Sequence, residues 1–500
     1  MLFVLVVVAM LALPAGDALL SGGVGARVEA LGVLALLDDG LVARVVLAVV
    51  PDAGEGGRFE GEITDADDGG GAAGRAAVAE AARALAALAA TSHALRAFAD
   101  ANENWRALAA AARTYPPFAA NDTWKSAFLR AAMGVHSAPA ALAPKFHSDF
   151  LFRPWLCATA HLQPHWTTRE TVREVDANAL TPGMFASLER QHIPVVVRNA
   201  AADWPALRRW RDSRYIARAL PRAVINETPV DTQTFFTYLN HCPADEAPLY
   251  LFDPLALKRA PLSNDYTPPA FLPDDLFALL GDEDGGQRPH HRWLIVGARN
   301  SGSFFHVDPN GTSAWNAVVV GEKRWVFYPP EGDPPPGVQP SDDGTDVYTP
   351  VSLMEWYLNF YDGAHADRLA SKRAPTRPLE CTARAGDLVF VPSGWWHQVV
   401  NTATDRPTIA VTANFCSRAN LAHVLSALDK GGRHVSGISG DALATLGTRF
   451  RGVLEASAPD ALAEAEREMS GSGAAKRKRG GDDGAWAHPD GAPFCFNFSL

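Results

Sequence analysis

Two apolar stretches constrain this 500-residue chain more than any other feature, because both read as buried strand rather than helix. Residues 292–330 (RWLIVGARNSGSFFHVDPNGTSAWNAVVVGEKRWVFYPP) and 389–401 (VFVPSGWWHQVVN) are rich in Val, Trp and Phe and are cut by Gly and Pro. β-branched and aromatic side chains suit a pleated surface, and Gly and Pro punctuate it with turns. The same texture begins near Val172, shows in Ile193-Pro194-Val195-Val196-Val197, and ends near Phe415. The spacing therefore predicts a strand-rich domain over residues 172–415.

Polar residues inside these runs are the informative ones. His306 and Asp308 stand two apart in a strand pattern, so the imidazole and the carboxylate share a face and can meet one ion. His397, in the second stretch, supplies a third ligand. Two His and one carboxylate on one face of a metal leave its other positions open, the arrangement of non-haem Fe(II) oxygenases. A lone His-x-Asp is more often a pair of satisfied core or surface side chains, so the surroundings carry the weight. Lys323, in Gly321-Glu322-Lys323, has the setting of a solvated turn lysine, yet on an intervening hairpin it would reach back as a cation for a dicarboxylate. Asn316 lies in an otherwise apolar strand, and Thr412 and Asn414 repeat that pattern in IAVTANF. Buried amides need partners, so these residues point to a polar pocket inside a barrel; an edge strand with one solvated face is the plainer alternative.

Composition narrows the class. The length allows two to four domains. Lys and Arg number 45 against 56 Asp and Glu, a net charge of −11 that argues against nucleic acid as the main partner. Five widely spaced cysteines (Cys157, Cys242, Cys381, Cys416, Cys495) without a Cys-x-x-Cys pair offer neither a disulfide framework nor a cysteine-zinc site.

Ahead of the strands the chain reads as helical. Residues 1–20 are an apolar run stopped at Pro14, resembling the core of a signal peptide without its basic start and too short for a transmembrane span. Residues 28–50 carry apolar residues at helical spacing, 51–74 form a Gly- and Asp-rich insertion, and an Ala-rich helix runs from 75 to 112. The aromatic segment 146–157, within a linker over 146–171, is expected to pack between domains. After the strands, 416–456 reads as a helical extension and 457–500, with Lys476-Arg477-Lys478-Arg479, as a disordered tail. Asn121, Asn226, Asn310 and Asn497 open glycosylation-type triplets by composition, although a glycan on Asn310 would obstruct the metal motif.

The ordered motifs His306-Val307-Asp308-Pro309, Gly311-Thr312-Ser313-Ala314-Trp315-Asn316-Ala317, Gly321-Glu322-Lys323-Arg324-Trp325 and Pro392-Ser393-Gly394-Trp395-Trp396-His397 resemble the Jumonji C (JmjC) 2-oxoglutarate and Fe(II)-dependent oxygenases. Pro248-Leu249-Tyr250-Leu251-Phe252-Asp253 and Pro273-Asp274-Asp275-Leu276-Phe277 are similar to the arginine-demethylase and lysyl-hydroxylase branch once described as a phosphatidylserine receptor. The resemblance implies a double-stranded β-helix, a cupin-like jelly roll, as a mainly β catalytic domain with an α-helical N-terminal module and a helical C-terminal extension. It implies iron ligands His306, Asp308 and His397. It also implies Lys323 on the distal carboxylate of 2-oxoglutarate, helped by Tyr250, Asn316 and Thr412, with Ser303 in place of a family threonine and Asn414 near the metal. The implied reaction is oxidation of a C–H bond on a protein or peptide, with succinate and carbon dioxide as co-products. Hydroxylation and N-demethylation both remain open.

Residues 28–135, through the helical segments and Trp124-Lys125-Ser126, resemble an F-box split by the 51–74 insertion, which implies docking on the adaptor of cullin ubiquitin ligases. A plain helical platform is the alternative. The rival to an enzyme is a non-enzymatic F-box-like adaptor whose barrel only binds. The expected compartment is the nucleus or cytoplasm, or the secretory pathway if residues 1–20 are a signal.

Overall fold

The computed structural model describes residues 39–47, 72–91, 93–112, 115–136, 148–225, 228–241, 245–281, 287–341, 347–365, 377–431, 437–438 and 440–478. The apolar run 1–20, nearly all of the 51–74 insertion, Cys242, Cys495, Asn226 and Asn497 lie outside them. The described residues fall into two compact units.

The first unit holds the residues up to His161 together with Pro221–Glu246. Its helices are Asp39–Leu47, Ala72–Thr91, His93–Ala99, Asn102–Ala111, Trp124–Met133 and Asp149–Thr159. The single helix expected over 75–112 is thus three, broken after Thr91 and again around Asp100-Ala101. Helix Trp124–Met133 starts where the Thr123 and Ser126 side chains cap each other's backbone, and stops at Gly134, whose φ of 65° favours glycine. Its Trp124 indole donates to the buried Asp245 carboxylate at 2.8 Å, and the Tyr238 hydroxyl donates to the same group at 2.6 Å. This fastens the later segment, with strands β3 (Arg222–Ile225) and β4 (Thr228–Asp231), to the N-terminal helices. Residues 221–246 therefore belong to the helical unit, and the strand-rich domain expected over 172–415 is interrupted there. Phe150, Phe152 and Trp155 are exposed.

The second unit comprises Leu162–Leu220 and the residues from Ala247 onward. It contains β1 (Arg173–Asp176), β2 (Val195–Arg198), β5 (Tyr250–Asp253), β6 (Arg292–Gly297), β7 (Gly302–His306), β8 (Ser313–Val320), β9 (Glu322–Tyr328), β10 (Gln339–Pro340), β11 (Val347–Tyr348), β12 (Leu379–Arg384), β13 (Leu388–Val391), β14 (Trp396–Asn401) and β15 (Thr408–Phe415). One sheet runs β1-β2-β13-β8-β15-β6-β5 and the other β12-β9-β14-β7, the two-sheet jelly roll that the family resemblance implies. Every residue of β8 and of β14 is buried, because both faces of these strands are covered.

Gly321 decides where the site can form. β8 and β9 belong to different sheets, so they are not a hairpin; the chain crosses between sheets at Gly321. Its φ is 81°, and a Cβ there would stand 2.5 Å from the Thr408 hydroxyl, so only glycine makes this corner comfortably. Lys323 consequently leaves the corner facing inward, with 1% of its surface exposed, and is no solvated turn lysine.

On the outer side of the smaller sheet, Arg324 of β9 pairs with Glu380 of β12 at 2.6 Å, and both are buried. The Tyr361 hydroxyl donates to Glu380 at 2.9 Å, and Arg324 also donates to the Trp166 carbonyl at 3.1 Å. Beyond the barrel, helices Leu421–Asp429, Gly440–Ala444, Leu446–Ser457 and Pro459–Lys478 share an apolar cluster with Phe277. The tail expected to be disordered from 457 thus starts as a helix, because Ala461 and Ala465, four apart, bury one small-residue face in that cluster. Among the described residues no helix is long and apolar enough to cross a membrane.

Candidate metal centre

Cross-strand register, which sequence does not display, assembles the site. In the smaller sheet Phe327, His397 and His306 stand level across β9, β14 and β7. Two residues further along, Trp325 faces Val399, and two further still Lys323 faces Asn401. Strand alternation puts all of these on the interior face. In the larger sheet Trp293, Thr412 and Asn316 form one row across β6, β15 and β8, and Asn414 faces Ala314 in the next.

His306, Asp308 and His397 converge: their ligand atoms lie within 4.8 Å of one another, the one such group among the described residues. The His306 and His397 ring centroids are 4.1 Å apart, and His397 Nε2 is 3.9 Å from Asp308 Oδ2. Each ring is aimed by its own strand. His306 Nδ1 bonds the Phe304 carbonyl at 2.6 Å, and His397 Nδ1 bonds the Trp395 carbonyl at 3.0 Å. A carbonyl only accepts, so Nδ1 carries the proton on both rings and Nε2 is the coordinating nitrogen. Burial, reinforced by His397, holds His306 well below its ordinary pKa, so its imidazole is neutral as a ligand must be. Burial pushes the Asp308 carboxyl up, against the pull of His397 and an Asn414 hydrogen bond.

The donor set fits a divalent cation. Asp308 Oδ2 is buried with no hydrogen-bond partner, an arrangement that is costly until a cation meets it. Asn316 Oδ1, Trp325 Nε1 and Asn401 Oδ1 are likewise buried and unpartnered, so the interior presents polar atoms that a polar occupant would satisfy. The barrel wall also supplies the cation expected at its far end. Lys323 Nζ donates to the Tyr250 hydroxyl at 3.1 Å and lies 5.6 Å from the centre of that ring. Burial brings the Lys323 amine down to about 7. Tyr250 is hydrogen-bonded in turn to Ser303, and burial raises its hydroxyl pKa. His397 and Lys323 sit four residues apart by register, about 13 Å along the strands.

The remaining expected residues divide between two settings. Thr412 spends its hydroxyl proton on the Trp315 carbonyl at 3.0 Å, and Asn316 lies beside it in register. Asn414 donates to the Thr312 hydroxyl at 3.0 Å and bonds Asp308, so it sits at the metal group rather than beside Lys323. Asn310, in the turn after the ligands, is 3% exposed, a poor place for a glycan. Sequence reading missed Trp325 and Asn401. Their signal was available: both alternate with Lys323 and His397 on strands whose inward faces those residues define.

Residues 263–420 match the Cupin-like domain family. The chain is similar to Arginine-specific demethylase JMJ22 of Arabidopsis thaliana, 38% identical over 340 residues, covering 67% of this chain and 64% of that protein. It is similar to the Bifunctional arginine demethylase and lysyl-hydroxylase psr-1 of Caenorhabditis elegans, 35% identical over 265 residues, 51% of this chain and 63% of that one. The 2-oxoglutarate and iron-dependent oxygenase JMJD4 of Homo sapiens is 30% identical over 176 residues, 35% of this chain and 38% of that one. The chain thus spans a little under two thirds of the first two relatives.

Proposed function

We propose, on the premise that this chain carries a cupin-like JmjC domain, that it is an Fe(II)- and 2-oxoglutarate-dependent oxygenase acting on a protein or peptide side chain. One observation carries the reading: the His306, Asp308 and His397 group, half-buried at His306 and buried at the other two, shares the barrel interior with Lys323. Bound Fe(II) with 2-oxoglutarate supplies oxidation of a C–H bond, with succinate and carbon dioxide as co-products. The two imidazoles and the carboxylate of this chain hold the metal and offset part of its charge. Lys323 and Tyr250 take the distal carboxylate of the co-substrate, where low dielectric makes a single ammonium effective. Asn316 and Thr412 line the opposite wall, Asn414 steadies Asp308, and Trp325 and Phe327, stacked beside the His397 ring, exclude water.

The same oxidation gives a stable alcohol on a carbon side chain, whereas on an N-methyl side chain the N-hydroxymethyl product breaks its C–N bond to give the free N–H and formaldehyde, so one site serves both chemistries named for the relatives. The helical unit recruits partners in this reading; its exposed Phe150, Phe152 and Trp155 support that role, and a cullin adaptor is the partner the F-box-like pattern implies. The test is succinate formation by purified protein given Fe(II), ascorbate, 2-oxoglutarate and oxygen, against His306→Ala. Succinate lost in the variant supports the oxygenase. Absence of both succinate and metal binding in the wild type would turn the reading to a non-enzymatic adaptor.

A further inference from the structure

Asn401 closes β14 inside the barrel, fully buried and directly across from Lys323. It is held unusually firmly. Its backbone N–H donates to the Ser301 carbonyl at 2.8 Å, and its own carbonyl accepts from Asn300 at 3.0 Å. Its amide orientation is settled by a proton count. The Ser301 hydroxyl gives its one proton to the Ala298 carbonyl at 2.6 Å, so at 3.0 Å from Asn401 it can only accept. The group facing Ser301 must be the Asn401 NH2, which turns Oδ1 to the other side of the side chain, buried and without a partner.

The packing around this amide is tight. A Cβ at Gly297 would stand 2.2 Å from Ser301 Oγ, 2.5 Å from Tyr250 Cδ2 and 2.8 Å from Asn401 Nδ2. Tyr250, Ser301 and Asn401 therefore close on one glycine and form a single wall beside Lys323. An ammonium has three donors. One goes to Tyr250, and a buried amide oxygen and a carboxylate are suited to the other two.

Resting on the oxygenase reading, we infer that Asn401 is a positioning residue for the co-substrate: its amide oxygen, without a partner in this structure, becomes the second acceptor for the Lys323 ammonium when the distal carboxylate arrives and aims it at that carboxylate. The role is specific to that carboxylate, so it must vanish for a 2-oxo acid that lacks one.

The experiment measures binding of 2-oxoglutarate and of 2-oxobutyrate to the Mn(II)-loaded full chain without oxygen, by titration calorimetry. The wild type is expected to prefer 2-oxoglutarate. Asn401→Leu should weaken 2-oxoglutarate about tenfold while leaving 2-oxobutyrate and Mn(II) affinity unchanged, so the preference collapses. Asn401→Asp, which sets a negative charge opposite Lys323, should weaken 2-oxoglutarate at least as much. An Asn401→Leu protein that binds 2-oxoglutarate within twofold of wild type, or that loses both acids equally, overturns the inference. Should Asn401→Leu not fold, Ser301→Ala frees the amide from its anchor; a reduced preference then supports the role and an unchanged one overturns it. Wild-type protein that binds Mn(II) but neither acid would sink the oxygenase reading itself, an outcome distinct from lost selectivity.

Discussion

His397 stands directly opposite His306 across β14 and β7, and immediately beyond this pair the register shifts, so that Val399 faces Ser303. The irregularity lets the two imidazoles meet while the strands below them run on. Both rings are tied to their own strands through Nδ1, so any movement of β7 against β14 moves the metal ligands apart.

Gly302→Ala tests that dependence. A Cβ at Gly302 would stand 2.0 Å from the Val399 carbonyl oxygen, backbone that has nowhere to go. The expected loss is roughly 1–3 kcal/mol of stability by overpacking. Calorimetry should also show weaker Mn(II) binding, although residue 302 is no ligand. Wild-type Mn(II) affinity in the variant would mean that the two strands do not need their present spacing.

Asp308→Asn separates the cost of the metal-free site from its use. A buried carboxylate without a cation is unfavourable, so the metal-free variant should melt at or above the wild-type temperature. Mn(II) at a hundred times its dissociation constant should stabilise the wild type by about 2.7 kcal/mol and the variant by far less. Equal Mn(II)-induced shifts in differential scanning fluorimetry would remove Asp308 from the ligand set.

Lys323 makes co-substrate binding pH-dependent. Its folded-state pKa is near 7 before a carboxylate arrives, against an ordinary value of about 10.4. Above pH 7 the amine is neutral and must regain a proton to pair with the incoming anion. Affinity for 2-oxoglutarate should therefore fall as pH rises through 7, with proton uptake visible at pH 8 as a buffer-dependent binding enthalpy. Between about pH 7 and 10 the unfolded chain holds the proton and the folded metal-free chain does not, so this residue makes stability rise with pH there. Lys323→Ala should raise the 2-oxoglutarate requirement and abolish the proton uptake; unchanged uptake would assign it to another group.

Glu380→Ala removes the buried, close counter-charge of the Arg324 guanidinium and leaves it only the partly exposed Glu170 at 3.4 Å. Urea unfolding should show a loss of about 3–5 kcal/mol, while the double variant Arg324→Met with Glu380→Leu recovers much of it. A single variant as stable as wild type would mean that Glu170 or water replaces Glu380 at Arg324.

The parts legible in sequence are those governed by local stereochemistry. The i, i+2 spacing of His306 and Asp308 points both at one ion, although β7 ends at His306 and Asp308 stands in extended backbone just beyond it, and Val- and Trp-rich runs broken by Gly and Pro announce a two-sided sheet. Neither requires knowledge of a distant residue. Lys323 shows the limit: within Gly321-Glu322-Lys323 it looks solvated, and only the crossing from β8 to β9 in another sheet turns it inward. Segment 221–246 shows it again, since its place with the N-terminal helices rests on Asp245 meeting Trp124, far apart in the chain.

What the sequence by itself determined is the strand-rich domain, the set of ligand types and the convergence of His306 and Asp308 on one ion. Only the tertiary structure decided that His397 lies level with His306, that Asn401 faces Lys323, and that Arg324 is buried against Glu380. The physical reason is register. Side-chain direction repeats every two residues along any strand, but which residues of two distant strands stand level depends on how the whole barrel closes.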